Sequence, residues 1–334
     1  MSLSPIVLVT GSAGHLGSAL MYSLSSYGYS PIGLDILPCD TTNYVGSISD
    51  RAFVARVFAE NPTIRYVLHT ATLHKPHVGS HSKQDFADTN ISGTLALLEE
   101  ASSHSIQSFI FLSTTSAFGS ALSPKPGQAA AWIDESVIPV PKNIYGATKV
   151  AAEDLCYLVH MQTAMPTFVL RTSRFFPEED DDEGRRAEMT DENLKVCELA
   201  YRRVDIADVV ESCVRAMERA RDVGWAKYVI SAPPLFTRDE KTLRQLDKNP
   251  AEAFRDALPD CEAVFAKKGW RFLSRIDRVY DSSKAARELD WRPQYTFERA
   301  IRKLAAGEEW RSALAIRVGR RGYHPVSTGV YTVR

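Results

Sequence analysis

Long apolar runs are missing from this chain. No stretch approaches the roughly 18 residues that a membrane-spanning helix needs, so no transmembrane helix is expected. The N-terminus runs straight into a strand pattern, without a basic segment, apolar core and cleavage site, and a cytoplasmic location is the expectation. Cysteines are few and scattered: Cys39, Cys156, Cys197, Cys213 and Cys261 form no CxxC pair, and an odd count argues against a disulfide framework. A reducing compartment fits that usage. A charge excess is also lacking. The net formal charge of −1 creates no field for nucleic acid or an anionic membrane, and neither partner is expected. No internal repeat occurs, which excludes solenoids. His74, His77 and His81 cluster, but no carboxylate or cysteine completes a metal-ligand spacing around them, so no metal is expected.

What is present starts at Val7-Leu8-Val9-Thr10-Gly11-Ser12-Ala13-Gly14-His15-Leu16-Gly17. A buried-strand pattern, three glycines spaced by three and a helical pattern follow one another. That order makes a phosphate cradle, because the glycines admit a tight turn and the helix N-terminus adds partial positive charge. The next strand pattern, 31–35, ends in Asp35, where an acid can read a ribose 2′-hydroxyl. Helix 50–59, strand 65–70, a helix through Asn90 and strand 108–113 continue the alternation. It implies parallel strands with right-handed crossovers, a doubly wound α/β sheet whose small-molecule ligands sit beyond the carboxyl ends of its strands.

The second half is less regular. Residues 120–142 read as a proline-bearing loop over the site, followed by a helix over 144–161 and a strand over 166–171. Glu178-Glu179-Asp180-Asp181-Asp182-Glu183 reads as a solvated, mobile loop. Arg203–Val210 reads as a short strand entering a helix capped by Asp205 or Asp208, and a strand over 226–231 follows. The expected organisation is a dinucleotide-binding domain over 1–171, rejoined by 201–231. A smaller substrate-binding lobe comprises 172–200 and 232–310, and a basic tail covers 311–334.

Tyr145 and Lys149 stand at i and i+4, on one face of a helix. A phenol is a poor base at pH 7, but a neighbouring cation favours the phenolate. Such a pair can exchange a proton with a secondary alcohol. Ser113, Thr114, Thr115 and Ser116 close strand 108–113, facing the same crevice.

Taken as an ordered set, these residues resemble the extended short-chain dehydrogenases/reductases, in the NAD-dependent epimerase/dehydratase branch. The set also includes His69-Thr70-Ala71, Thr89-Asn90-Ile91-Ser92-Gly93-Thr94, Arg203-Val204-Asp205-Ile206-Ala207-Asp208 and Ser283-Lys284-Ala285. The resemblance implies a Rossmann-type sheet with a C-terminal substrate lobe and NAD as cofactor. It assigns Thr114 the catalytic hydroxyl, Tyr145 the acid/base, and Lys149 the lowering of the phenol pKa and the nicotinamide ribose. Gly11, Gly14, His15, Leu16 and Gly17 would hold the pyrophosphate, and Asp35 with Ile36 the adenosine ribose. Ser47 and Ile48 would flank the adenine, and Thr70, Ala71 and Thr72 the nicotinamide side. Asn90 is the family's structural asparagine behind the site, grouped with the cofactor residues. His74, Thr115, Ser116, Arg174 and Phe175 are the expected substrate contacts. Members of this branch often form homodimers.

Departures from the pattern bear on the substrate. Thr115 and Ser116 stand where dehydratases carry acids, which disfavours elimination of water. Arg174 stands where nucleotide-sugar members carry asparagine, and the region 178–200 is short, which argues against a nucleotide-sugar substrate. Three readings stay open. One is an epimerase acting on a secondary alcohol of a sugar or sugar-like compound. Another is a dehydrogenase of a small hydroxy compound or anionic polyol, and the last is a non-catalytic dinucleotide sensor.

Overall fold

The computed structural model describes residues 4–104, 106–120, 123–180 and 183–321. The first half builds β1 (Ile6–Thr10), α1 (His15–Ser23), β2 (Ser30–Asp35), β3 (Tyr44–Val45), α2 (Arg51–Glu60) and β4 (Ile64–His69). Then come α3 (Lys83–Ala87), α4 (Gly93–Ser103), β5 (Ser108–Thr114), β6 (Ala131–Ile133), α5 (Ile144–Thr163) and β7 (Thr167–Thr172). The second half contributes α6 (Glu183–Glu188), α7 (Asp191–Leu199), α8 (Ile206–Val223), β8 (Trp225–Ile230), α9 (Glu240–Lys248), α10 (Pro250–Ala257) and α11 (Cys261–Lys268). The last elements are β9 (Arg278–Tyr280), α12 (Ser283–Glu288), α13 (Phe297–Ala305) and α14 (Ala313–Val318).

Seven strands form one sheet in the order β3-β2-β1-β4-β5-β7-β8, every pairing parallel. The chain winds outward from β1 to one edge, then returns beside β1 with β4 and winds to the other. This reversal opens a crevice at the carboxyl ends of β1 and β4. Strands covered on both faces need apolar side chains in both directions, and β5 is buried along its whole length. One face packs on Leu16 and Leu20 of α1 and on Val209, Val210 and Met217 of α8. The other packs on Val54 and Phe58 of α2, Leu97 and Leu98 of α4, and Ala152 and Cys156 of α5. Helix starts are fixed by side-chain caps: Asp50 accepts from Phe53 N at 3.1 Å, and Asn143 from Gly146 N at 3.0 Å. Each such cap is worth about 1 kcal/mol.

A separate apolar cluster joins α7, α9, α10, α11 and α13 through Leu194, Leu246, Phe254, Phe265 and Phe297. It is tied back by a two-stranded parallel ladder, Ala131–Arg278 to Ile133–Tyr280. Among the described residues no helix is long and apolar enough to cross a membrane.

The helix expected through Asn90 forms, and its middle turn, Asp88–Ser92, is a π-helix that carries Asn90 inward. The structure departs from the sequence reading in four places. Residues 131–133, expected as loop, are β6. No strand forms at Arg203, which makes a single bridge to Arg174 before Asp205 caps α8. Asp208 is not the cap; its carboxylate accepts from Gln294 N and Tyr295 N. The acidic run is not wholly solvated, because Glu178 and Asp180 are buried against arginines and a histidine. Asp181 and Asp182 lie outside the described residues, as does 322–334 of the expected tail.

Candidate active site

The glycine turn connects β1 to α1. Gly11 has φ +72°, a left-handed conformation that strains any side chain, and a Cβ there would lie 2.7 Å from Ala71 N. At Gly17 a Cβ would come within 1.9 Å of the Gly11 carbonyl oxygen. The turn and the first helical turn are therefore in direct backbone contact. Gly14, at the N-cap of α1, has no side chain to make a cap hydrogen bond. Asp35 ends β2 beside this turn and accepts from Ala13 N at 3.0 Å and Leu37 N at 2.9 Å.

Between β1 and β4, His69 is fully buried, its ring nitrogens 2.8 Å from Thr10 Oγ1 and 2.9 Å from Thr94 Oγ1. Burial pushes its pKa well below the usual imidazole range, with Lys149 adding to the effect. Asn90 uses its amide on the loop after β4. Oδ1 accepts from Thr72 Oγ1 and Leu73 N, while Nδ2 donates to the Leu73 carbonyl and Thr148 Oγ1. It thus holds the loop against α5, behind the cleft.

Tyr145 lies in the first turn of α5, buried, and borders the same cleft as Thr114 at the end of β5. Burial pushes its pKa up to about 12, although the Thr114 hydroxyl pulls the other way. Lys149 is buried one turn on. Its Nζ donates to the Leu112 carbonyl at 2.7 Å and sits 4.0 Å from the centre of the Phe111 ring. Burial brings its pKa down to about 7, with Cys156 and Glu153 opposing. Burial dominates both groups here and favours the neutral phenol.

Behind this pair lies a buried ion cluster. Glu153 accepts from Arg171 Nε at 3.0 Å, Arg171 Nη2 at 2.7 Å, Lys227 Nζ at 3.1 Å and Ser113 Oγ at 2.6 Å. These bonds pin α5 to β5, β7 and β8. On the lobe side, Asp180 and Glu198 are buried among Arg174, Arg185, Arg202 and Arg203. Arg174 therefore has structural partners and also faces the cleft.

A single cavity of about 690 Å³ runs from the glycine turn past Thr114 and Tyr145 to the lobe. Every residue expected to hold cofactor or substrate borders it except Asn90 and Lys149, which support it from behind. Sequence reasoning missed Lys142, Arg202, Arg278 and Tyr280, which also line it. Arg278 and Tyr280 carry no local signal, since only the pairing of β9 with β6 brings them there.

The glycine cradle that a Cβ would fill, the uncapped start of α1 and the acid ending β2 suit a dinucleotide with a free 2′-hydroxyl. Fold and cleft together define an NAD-dependent enzyme of the short-chain dehydrogenase/reductase type. The model of the NAD dependent epimerase/dehydratase family matches residues 7–230, and the chain belongs to that family. It is similar to the UDP-glucose 4-epimerase of Rhizobium meliloti (strain 1021), 28% identical over 315 residues that span 86% of this chain and 92% of that protein. The fold is similar to a UDP-glucose 4-epimerase from Thermotoga maritima crystallised with UDP-glucose (TM-score 0.61, 23% identity, 89% of this chain and 96% of that one). It is also similar to a UDP-glucuronic acid 4-epimerase from Bacillus cereus in complex with UDP-glucuronic acid and NAD (TM-score 0.60, 19% identity, 89% and 96%).

Proposed function

We propose that this enzyme inverts a secondary alcohol centre of a UDP-linked sugar, with Tyr145 as acid/base and Thr114 as the hydroxyl that steadies the reacting oxygen. The observation that carries this reading is the Tyr145–Thr114 pair, set in the same cavity as the glycine turn. Bound NAD supplies a reversible hydride acceptor for the carbinol carbon. Tyr145 takes the hydroxyl proton as the ketone forms and returns it when the alcohol is restored. When Lys149 carries its proton, its charge favours the phenolate and offsets the effect of burial on Tyr145. The lobe of 172–200 and 232–310 holds the rest of the substrate. Arg174 and Arg278 of that lobe line the cavity together with Arg202 and Lys142, and guanidinium groups suit a diphosphate. This supports an anionic, nucleotide-linked substrate despite the missing asparagine at Arg174, and the names of the similar proteins point the same way.

Replacing Tyr145 by Phe tests the reading. UDP-sugar epimerisation falls at least about 100-fold while bound NAD is retained. Unchanged turnover, or stoichiometric release of NADH by the parent enzyme with such substrates, defeats it. We also propose a homodimer through the outer face of α5, where Tyr157, Leu158 and Met161 are 46%, 48% and 62% exposed. Met161→Glu then shifts sedimentation from dimer to monomer; a monomeric parent removes the proposal.

A further inference from the structure

The C-terminal segment returns to the mouth of the cofactor cleft. α14 packs on α1 and α8, with Val318 in the main core, and Ser312 anchors its start on Asp205 at 2.6 and 3.0 Å. Beyond the helix, the Arg321 main-chain N–H reaches Glu178 Oε1 at 3.2 Å and lies 3.0 Å from His15 Nε2. His15 Nε2 is itself 2.8 Å from the same Glu178 oxygen. Three distant parts of the chain thus meet at one buried carboxylate: the first turn of α1, the segment leaving β7 toward the lobe, and the C-terminal segment. Arg321 Nη2 also donates to Tyr22 Oη at 3.0 Å, Arg317 covers the Tyr22 ring, and Arg320 pairs with Glu179 at 3.7 Å.

His15, Leu16 and Gly17 border the cavity, and so do Arg174, Phe175 and Phe176 just before Glu178. Both segments border the cleft, one at the glycine turn and the other on the substrate side. We infer that Glu178 is a positioning residue, clasping α1 and the C-terminal segment to the substrate-side wall so that NAD stays resident between turnovers. Glu178 does not border the cavity, so its effect on the cofactor runs through His15. Losing a buried hydrogen bond leaves its partner unpaired, so loss of the clasp speeds release roughly tenfold or more. The inference rests on the cofactor alone and is independent of which sugar is the substrate.

The experiment measures release of isotopically labelled NAD from the loaded enzyme into a chase of unlabelled NAD. Glu178→Ala removes the shared acceptor, and Arg321→Pro removes the main-chain donor. Both should release label about tenfold faster than the parent. Arg321→Ala keeps the N–H and Glu178→Gln keeps an acceptor; both should stay within about threefold. Release at the parental rate in Arg321→Pro overturns the clasp, as does equal acceleration by Arg321→Ala. Should Glu178→Ala not fold, the Arg321 pair decides alone.

Discussion

Glu153 and Arg171 offer a test of how the catalytic helix is held. Both are almost inaccessible, and their bidentate contact is completed by Lys227 and Ser113. Removing one member of a buried pair costs about 3–5 kcal/mol, because the survivor is left charged without its partner. Arg171→Met leaves Glu153 with Lys227 at 3.1 Å, which places the loss near 3 kcal/mol. Glu153→Leu leaves Arg171 with no carboxylate, and its Nη1 already has no partner among the described residues. That loss should approach 5 kcal/mol. The double variant strands only the partly exposed Lys227 and the Ser113 hydroxyl, so it should lose about 2 kcal/mol, far less than the two single losses combined. Urea unfolding of the four proteins at pH 7, followed by tryptophan fluorescence, reads these differences. Additive losses would refute the reasoning. Acid titration adds a check on sign. Burial pushes the Glu153 carboxyl up, but Arg171 and then Lys227 and Ser113 prevail and hold it below its ordinary value of 4.5. The cluster's contribution is therefore complete above about pH 4.5 and lost as the pH falls through the lowered value; Arg171→Met should flatten that loss.

Gly17→Ala drives a methyl group into the Gly11 backbone, where no flexible side chain can yield. The turn must shift, and a strain of about 1–3 kcal/mol should weaken NAD binding roughly tenfold or more by calorimetry; parental affinity would contradict the cradle geometry. His69 is held neutral when folded but protonates near pH 6.5 when unfolded. Stability should therefore fall as the pH drops below 6.5, by up to about 1.4 kcal/mol per pH unit. Thermal melts between pH 5 and 7 should show a shallower slope for His69→Gln; an identical slope would rule His69 out as the cause.

The sheet and the cofactor side of the cleft were legible because their signals are local. Val7 to Gly17 carries strand, turn and helix start in one stretch, and the acid ending β2 follows at a fixed distance. Tyr145 and Lys149 share a helix, so their spacing sufficed to bring them together. Their electrostatics were not legible: neither burial nor the Leu112 carbonyl that takes Lys149 can be read from an i, i+4 pair. The acidic run misled for a related reason. Six acids in sequence look solvated until Arg174, Arg185 and Arg202 gather around Asp180 and His15 reaches Glu178. Arg278 and Tyr280 were invisible because only a three-residue ladder between distant strands brings them to the cleft.

That ladder also sets an order of assembly. β6 emerges from the ribosome early but finds its partner only once β9 has been made, after the last strand of the main sheet. A nascent chain can complete its nucleotide-binding sheet while β6 still lacks its partner, and closing so long a loop carries an entropic cost that local contacts do not. A chain stopped before Arg278 has all seven strands of the main sheet but lacks both the partner of β6 and the core residues Trp291 and Val318 that cover one face of that sheet.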